Sequence, residues 1–186
     1  MLDRKPMVLV LAGPNGSGKS TITQYFEKVG QYTNADDVVS TTGMTNEDAA
    51  KLVDDMRYKS IDSKKDFTFE TVLSSSYKID ILEKAKSEGY FIKCIFILTV
   101  DPLINVSRVE ARVASGGHNV DKEKIISRYH KSLANISKLM ELCDILHVYD
   151  NTNNKPVRII RKHKDDISIF PNDLWSEEAI IELIEG

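Results

Sequence analysis

The chain alternates short runs of apolar residues with longer stretches in which apolar residues recur every three or four positions. Runs of the first kind are typical of buried β-strands, and stretches of the second kind are typical of amphipathic α-helices. The predicted strands are residues 7–11, 32–35, 67–72, 91–100 and 145–149. The predicted helices are residues 19–28, 47–63, 77–88, 101–115 and 121–142. Strands separated by helices predict an α/β fold with a five-stranded, mainly parallel sheet and helices on both faces.

The C-terminal part of the chain has a different pattern. Residues 157–163 and 167–170 alternate in the manner of a β-hairpin, and residues 177–184 have the period of a final helix. A chain of 186 residues is long enough for one α/β domain and too short for a second. We therefore expect a single domain over residues 1–186. Its predicted parts are a core over residues 6–151 and a C-terminal appendage over residues 152–186.

A glycine-rich segment directly follows the first predicted strand. It reads Gly13-Pro-Asn-Gly-Ser-Gly-Lys-Ser20, which is the G-x-x-x-x-G-K-S spacing of a phosphate loop (P-loop). Glycines let backbone N–H groups turn toward a phosphate, and the helix that follows adds its dipole. Lys19 would reach the β- and γ-phosphates, and the Ser20 hydroxyl would hold Mg²⁺. The predicted nucleotide-binding residues are Gly13, Pro14, Asn15, Gly16, Ser17, Gly18, Lys19, Ser20 and Thr21.

This motif predicts a P-loop NTPase fold that binds a nucleoside triphosphate. The alternative is a glycine-rich turn that binds nothing, but such a turn has no need of Lys19 and Ser20.

Polar residues that follow the other strands are further candidates, because ligands of such sheets bind beyond the carboxyl ends of the strands. Asp36 and Asp37 follow the second strand. A carboxylate there could orient an acceptor hydroxyl and take its proton, a role for which we favour Asp36; either aspartate could instead cap the following turn. Glu70 ends the third strand, where a buried charge is costly without a partner. The predicted substrate-binding residues are Glu70, Thr71 and Asp37.

Asp101 follows the fourth predicted strand and has two interpretations. It matches the loose pattern of a metal-binding carboxylate at a strand end. Asp101 followed by Pro102 is also a favourable start for a helix, with aspartate as the N-cap and proline at the first helical position, and we favour this second interpretation.

Arginines in the next two predicted helices indicate a lid between them. Arg108 and Arg112 are four residues apart, so they share one helix face directly before Gly116 and Gly117. Arg128 lies in the following helix, and an arginine delivered by lid closure can stabilise charge on a transferring phosphoryl group. The alternative is a solvated basic face paired with neighbouring glutamates.

Composition narrows the choice of partners. The net charge of −3 disfavours a protein that holds long nucleic acid, so we expect small anionic partners instead. Cys94 and Cys143 form no metal-binding or disulfide pattern, which is typical of a cytoplasmic protein. The longest apolar stretch, residues 95–100, is far shorter than a membrane span, and we see no signal-peptide core. We expect no membrane partner.

Several segments taken together carry a resemblance to a known family. They are Gly13-Pro-Asn-Gly-Ser-Gly-Lys-Ser-Thr21, Asn34-Ala-Asp36, Phe69-Glu-Thr71, Arg108-Val-x-x-Arg112-Val-x-x-Gly-Gly-His118-x-Val120, Arg128-Tyr-x-Lys-Ser132 and Tyr149-Asp-Asn151. In these segments the chain resembles the zeta toxin family of P-loop kinases.

The resemblance implies transfer of phosphate from ATP or GTP, with Mg²⁺, to the 3′-hydroxyl of UDP-N-acetylglucosamine. It implies that Asp36 is the base, that Glu70 and Thr71 contact the acceptor, and that Arg112 and Arg128 contact phosphate. An antitoxin protein is a further possible partner. Because the chain is shorter than the toxins and has no evident acceptor-binding insertion after Glu70, two alternatives stay open. These are a kinase of another small metabolite or nucleic-acid end, and a nucleotide-binding interaction protein with little catalysis.

Overall fold

The computed structural model describes residues 4–117 and 120–186. The strands in these ranges are β1 Met7–Ala12, β2 Gln31–Thr33, β3 Phe67–Thr71, β4 Phe91–Leu98, β5 Ile145–Asp150, β6 Val157–His163 and β7 Asp166–Ile169. They form one seven-stranded sheet in the order β2-β3-β1-β4-β5-β6-β7. The pairs among the first five strands are parallel, whereas β6 pairs antiparallel with β5 and with β7. The α/β fold with a mainly parallel sheet is confirmed.

The helices that the structure describes are α1 Lys19–Thr23, α2 Ala35–Thr42, α3 Asn46–Asp62, α4 Ser76–Ser87, α5 Pro102–Ala114, α6 Lys122–Ala134, α7 Ile136–Leu142 and α8 Glu177–Glu185. The helices differ from the prediction in three places. Helix α1 is shorter than the predicted residues 19–28, and α2 was not predicted. The single helix predicted over residues 121–142 is two helices, α6 and α7, which meet at Asn135.

Apolar strands form the centre of the molecule. Every residue of β4 from Cys94 to Leu98 is buried, as expected for a central parallel strand covered on both faces. One face of the sheet packs against α3, α4, α7 and α8, which contribute Ile61, Ile81, Leu139 and Ile180 to the main core. A smaller hydrophobic cluster lies on the opposite face of the sheet. It includes Ile22 of α1, and the partly buried Phe26 packs against it.

The C-terminal hairpin extends the sheet. Leu146 of β5 lies opposite Lys162 of β6, and Val148 lies opposite Ile160. Trp175 and Ile180 from the following segment join the main core. The prediction of five strands was therefore wrong: β6 and β7 raise the number to seven because β5 leaves an edge with which the hairpin pairs. Among the described residues, no helix is both long enough and apolar enough to cross a membrane.

Candidate active site

The P-loop connects β1 to α1, as the sequence predicts. Gly13 has a φ of +142°, and a Cβ placed there would lie 2.0 Å from the carbonyl oxygen of Ile97. Gly18 has a φ of +90°, and a Cβ there would lie 2.3 Å from Nδ2 of Asn151. A side chain at either position would thus meet both backbone strain and a direct clash. The loop has this shape only with glycine at these positions.

Two buried asparagines hold the P-loop from outside. Asn105 of α5 donates from Nδ2 to the carbonyl oxygen of Asn15 at 2.7 Å. Asn151, which follows β5, donates from Nδ2 to the carbonyl oxygen of Ser17 at 2.9 Å. Because both donors are buried, each bond fixes the loop backbone against a separate element of the core.

Lys19 lies across the loop. Its Nζ donates to the carbonyl oxygens of Gly13 and Pro14, at 2.8 and 3.0 Å. Burial lowers the pKa of the Lys19 ammonium, an effect that the negative charges of Glu70 and Asp36 partly oppose. The lysine is thus a desolvated cation that faces two carboxylates.

An open cavity of about 790 Å³ lies beyond the carboxyl ends of β1, β2 and β3. It collects side chains from segments that are distant in sequence. The predicted site residues that line it are Asn15, Gly16, Gly18, Lys19, Ser20, Thr21, Asp36, Glu70, Thr71, Arg112 and Arg128. Gly13, Pro14 and Ser17 are buried in the loop and do not line it. A second cavity of about 570 Å³ adjoins it and shares Asn15, Asp36, Arg112 and Arg128.

The carboxylate of Glu70 stands at the centre of this arrangement. Tyr32 of β2 donates its hydroxyl hydrogen to Oε2 of Glu70 at 3.2 Å, and Asn34 donates to the Tyr32 oxygen at 3.4 Å. Burial raises the pKa of Glu70, while Lys19 and the Tyr32 hydrogen bond act in the opposite direction. Burial and the negative charge of Glu70 raise the pKa of Tyr32. The tyrosine therefore stays a hydrogen-bond donor to Glu70.

Thr71 joins the end of β3 to the P-loop. Its carbonyl oxygen accepts from the backbone N–H of Gly13 at 3.2 Å, and its Oγ1 accepts from the backbone N–H of Leu73 at 3.0 Å. The residue thus connects the loop to the cavity wall.

Asp36 and Asp37 lie in the first turn of α2. The helix is capped by Asn34, whose Oδ1 accepts from the backbone N–H of Asp36 at 3.0 Å, so neither aspartate is the cap. Asp36 lines both cavities, whereas Asp37 lines the smaller one only. Of the two aspartates, the structure thus brings Asp36 and not Asp37 into the main cavity beside Lys19 and Glu70.

The arginines of the predicted lid differ in their surroundings. Arg112 of α5 and Arg128 of α6 line both cavities, whereas Arg108 of α5 lines the larger one only. Arg108 donates from Nη2 to the carbonyl oxygens of Asn151 and Thr152 and to Oδ1 of Asn154, at 2.8 to 2.9 Å. It therefore joins α5 to the segment after β5. The family motif also includes His118, which lies outside the described residues.

Asp101 is confirmed as a helix cap. Its Oδ1 accepts from the backbone N–H of Leu103 at 2.7 Å, and Pro102 is the first residue of α5. Asp101 lines neither cavity. In the part of the chain that the structure describes, no three or more His, Cys, Asp or Glu residues are grouped so that they could hold a metal ion.

Sequence reasoning missed three charged residues near the cavity. Arg57 of α3 and Lys78 of α4 line it, and both pair with the buried carboxylate of Asp54. They lie inside helices with no motif around them. The one signal available from the sequence was a charged residue at a position on the buried face of a helix.

A P-loop after β1, carboxylates beyond β2 and β3, and arginine-bearing helices on the same cavity define the class of P-loop kinases. Within that class, the model of the zeta toxin family matches residues 29–165 of this chain. The protein belongs to the zeta toxin family.

Individual proteins are similar to this chain in sequence or in fold. A protein of Haemophilus influenzae described as uncharacterized is 28% identical over 123 residues, which cover 63% of this chain and 88% of that protein. A structure from the PezAT chromosomal toxin–antitoxin system of Streptococcus pneumoniae has a TM-score of 0.63 at 16% identity, over 99% of this chain and 89% of that one.

The complex AvrRxo1-ORF1:AvrRxo1-ORF2 with sulphate ions has a TM-score of 0.72 at 15% identity and covers 98% of this chain. This chain spans only 64% of that longer one. At these identities the likeness to the solved structures concerns the fold.

Proposed function

We propose that this protein transfers the γ-phosphoryl group of ATP or GTP to a hydroxyl group of a small acceptor, and that the acceptor is a nucleotide sugar such as UDP-N-acetylglucosamine. One observation carries the proposal. The P-loop lysine, the carboxylates of Asp36 and Glu70, and the side chains of Arg112 and Arg128 line a single cavity, although they come from five separate elements of the chain.

The donor nucleotide would bind at the P-loop end of this cavity. Backbone N–H groups of the loop and the Lys19 ammonium match the charge of the β- and γ-phosphates. The structure of AvrRxo1-ORF1:-ORF2 with ATP, which has a TM-score of 0.68 and 14% identity over 98% of this chain and 64% of that one, supports ATP as the donor.

The same end of the cavity suits Mg²⁺. The Ser20 hydroxyl is exposed where α1 begins, and the carboxylates of Glu70 and Asp36 lie close enough to act on the charge of Lys19. Hydroxyl and phosphate oxygens are hard donors of the kind that Mg²⁺ prefers, and the two carboxylates add negative charge nearby. Ser20 would hold the ion. When bound, Mg²⁺ would neutralise part of the phosphate charge.

In the transfer step, the acceptor hydroxyl oxygen forms a bond to the γ-phosphorus. The bond between that phosphorus and the β–γ bridging oxygen breaks, and its electron pair leaves with the nucleoside diphosphate. Asp36 accepts the hydroxyl proton, and Glu70 and Thr71 hold the acceptor in line. Arg112 and Arg128 stabilise the negative charge on the transferring group.

Membership in the zeta toxin family supports both the nucleotide-sugar acceptor and an antitoxin as protein partner. The name of the PezAT system refers to a toxin and an antitoxin, and that protein shares this fold. We extend the proposal to a partner protein that covers the cavity and blocks transfer.

Phosphorus NMR and mass analysis test the proposed reaction directly. The purified protein is incubated with MgATP and UDP-N-acetylglucosamine, beside Lys19→Ala as the matched inactive control. The proposal predicts a new phosphate monoester on the sugar that the wild type forms and the variant does not. Unchanged sugar with the wild type would contradict the nucleotide-sugar acceptor.

A further inference from the structure

A group of buried charges lies beside the acceptor end of the cavity. Asp54 of α3 accepts from Nη1 of Arg57 at 2.7 Å and from Nζ of Lys78 at 2.6 Å on each of its oxygens. Arg57 is 1% exposed. Its guanidinium carbon lies 4.5 Å from the centroid of the Phe69 ring. Phe69 and Glu70 are consecutive in β3, so their side chains point to opposite faces of the sheet, but Arg57 and Lys78 line the same cavity as Glu70.

The group holds more positive than negative charge. The other hydrogen bonds of Arg57 go to neutral oxygens, namely Oγ1 of Thr33 at 3.0 Å and the Thr33 carbonyl oxygen at 3.3 Å. Both recorded hydrogen bonds of Lys78 go to Asp54. Two cations thus share one carboxylate. Burial lowers the pKa of both Arg57 and Lys78, which shows that their positive charges are poorly solvated.

One cation is enough to neutralise the Asp54 carboxylate. Arg57 already satisfies Asp54 from within the same helix, at three residues' separation. Lys78 adds a second, desolvated charge, and its side chain keeps 18% of its surface exposed where it lines the cavity. An excess cation at a cavity wall is stabilised when a negatively charged ligand binds.

Two hydroxyl groups stand near this lysine. Ser74 and Ser75 line the same cavity directly before α4, and within the described residues neither hydroxyl makes a hydrogen bond. Ser75 is the N-cap of α4 but its side chain makes no capping bond. The cavity wall therefore offers two hydroxyl donors and one ammonium at the start of α4.

We infer that Lys78, together with the hydroxyls of Ser74 and Ser75, binds an anionic group of the acceptor, either a phosphoryl group or a carboxylate. The inference rests on the proposed kinase function, because it assigns this end of the cavity to the acceptor. Asp54 and Arg57 hold Lys78 in place. The enzyme then selects acceptors that carry a negative charge at a fixed distance from the reactive hydroxyl.

Binding measurements test this subsite without the reaction. Inorganic phosphate and acetate are titrated by calorimetry into the protein whose P-loop is saturated with a non-hydrolysable MgATP analogue. We expect phosphate or acetate to bind with about millimolar affinity, as befits so small a ligand. Lys78→Met should weaken that binding at least about tenfold, since it removes a charged hydrogen bond. If phosphate binds more tightly than acetate, the anionic group of the acceptor is a phosphoryl group. If acetate binds more tightly, that group is a carboxylate.

The matched control is Lys84→Met, which removes an exposed lysine from the same helix outside both cavities. Lys84→Met should bind as the wild type does, and Lys78→Arg should largely restore binding. The subsite is overturned if wild type and Lys78→Met bind phosphate and acetate equally well, or if neither protein binds either anion. This conclusion holds even if transfer to a nucleotide sugar occurs. Binding that depends on Lys78, with no transfer to any nucleotide sugar, supports the subsite and refutes that acceptor alone.

Discussion

Asn151 donates a hydrogen bond from Nδ2 to the carbonyl oxygen of Ser17 at 2.9 Å, across 134 positions of the sequence. This bond joins the end of β5 to the centre of the P-loop. Asn151 is 4% exposed, and its amide nitrogen also fills the space that a side chain at Gly18 would need. The shape of the P-loop therefore depends on a residue far outside its own motif.

Replacement of Asn151 should weaken nucleotide binding. Asn151→Ala leaves the Ser17 carbonyl without its partner, and a lost hydrogen bond of this kind costs about 0.5–1.5 kcal/mol. We expect the Kd for MgATP, measured by calorimetry, to rise by about two- to tenfold. Asn153→Ala changes an exposed residue of the same segment and serves as the control. If both variants bind MgATP equally well, Asn151 does not shape the loop.

The buried carboxyl of Glu70 should lower stability as the pH rises. Burial raises the pKa of Glu70 above its ordinary value of 4.5, so the folded state holds this proton more tightly than the unfolded state does. The free energy of unfolding then falls as the pH rises from the unfolded-state pKa through the folded-state pKa. Glu70→Gln cannot ionise. The stability of this variant relative to the wild type should increase through the pH range above 4.5.

Urea unfolding without nucleotide, at a series of pH values from about 4 to about 8, measures this difference. Other carboxyls titrate in both proteins and cancel in the comparison. Glu83→Gln, which removes an exposed carboxyl outside both cavities, is the control. Parallel stability curves for wild type and Glu70→Gln would show that burial does not raise the pKa of Glu70.

Loss of Arg128 should affect the chemical step more than nucleotide binding. Arg128 of α6 lines the cavity that holds Lys19 and Asp36. Removal of one group that stabilises transition-state charge costs about 10²- to 10³-fold in kcat. Arg128→Met should show this loss while its Kd for MgATP changes little. Lys131→Met changes an exposed residue of the same helix and should keep the wild-type kcat. If Arg128→Met is equally active, Arg128 does not take part in the chemical step.

Local sequence signals predicted much of the fold. Strands β1 and β4 are largely apolar runs, and the P-loop and the Asp101 cap are short motifs whose residues contact one another. Helix α2 was missed because it is short and none of its residues is buried, although the Asn34 cap and the two aspartates of its first turn are typical of a helix start. The break between α6 and α7 also depends on distant contacts: Asn135 donates from Nδ2 to the carbonyl oxygen of Leu73 at 2.9 Å.

Local sequence signals predicted only part of the candidate site as well. Lys19, Asp36 and Glu70 follow strands, so the position of strand ends in a parallel sheet was enough to suggest them. Lys78 meets Asp54 across 24 positions, and Arg57 meets Thr33 across 24 positions. Pairings of this kind arise only when α3, α4 and β2 come together. A single sequence holds no local pattern for them.

The claim that Asp36 removes the proton from the acceptor in this cavity is tested most directly by initial rates of UDP-N-acetylglucosamine phosphorylation. Asp36→Asn is compared with Asp37→Asn, its neighbour outside the main cavity. The account predicts that Asp36→Asn lowers kcat by about 10²- to 10⁴-fold, whereas Asp37→Asn stays within a few-fold of the wild type. A near wild-type rate for Asp36→Asn would contradict the account.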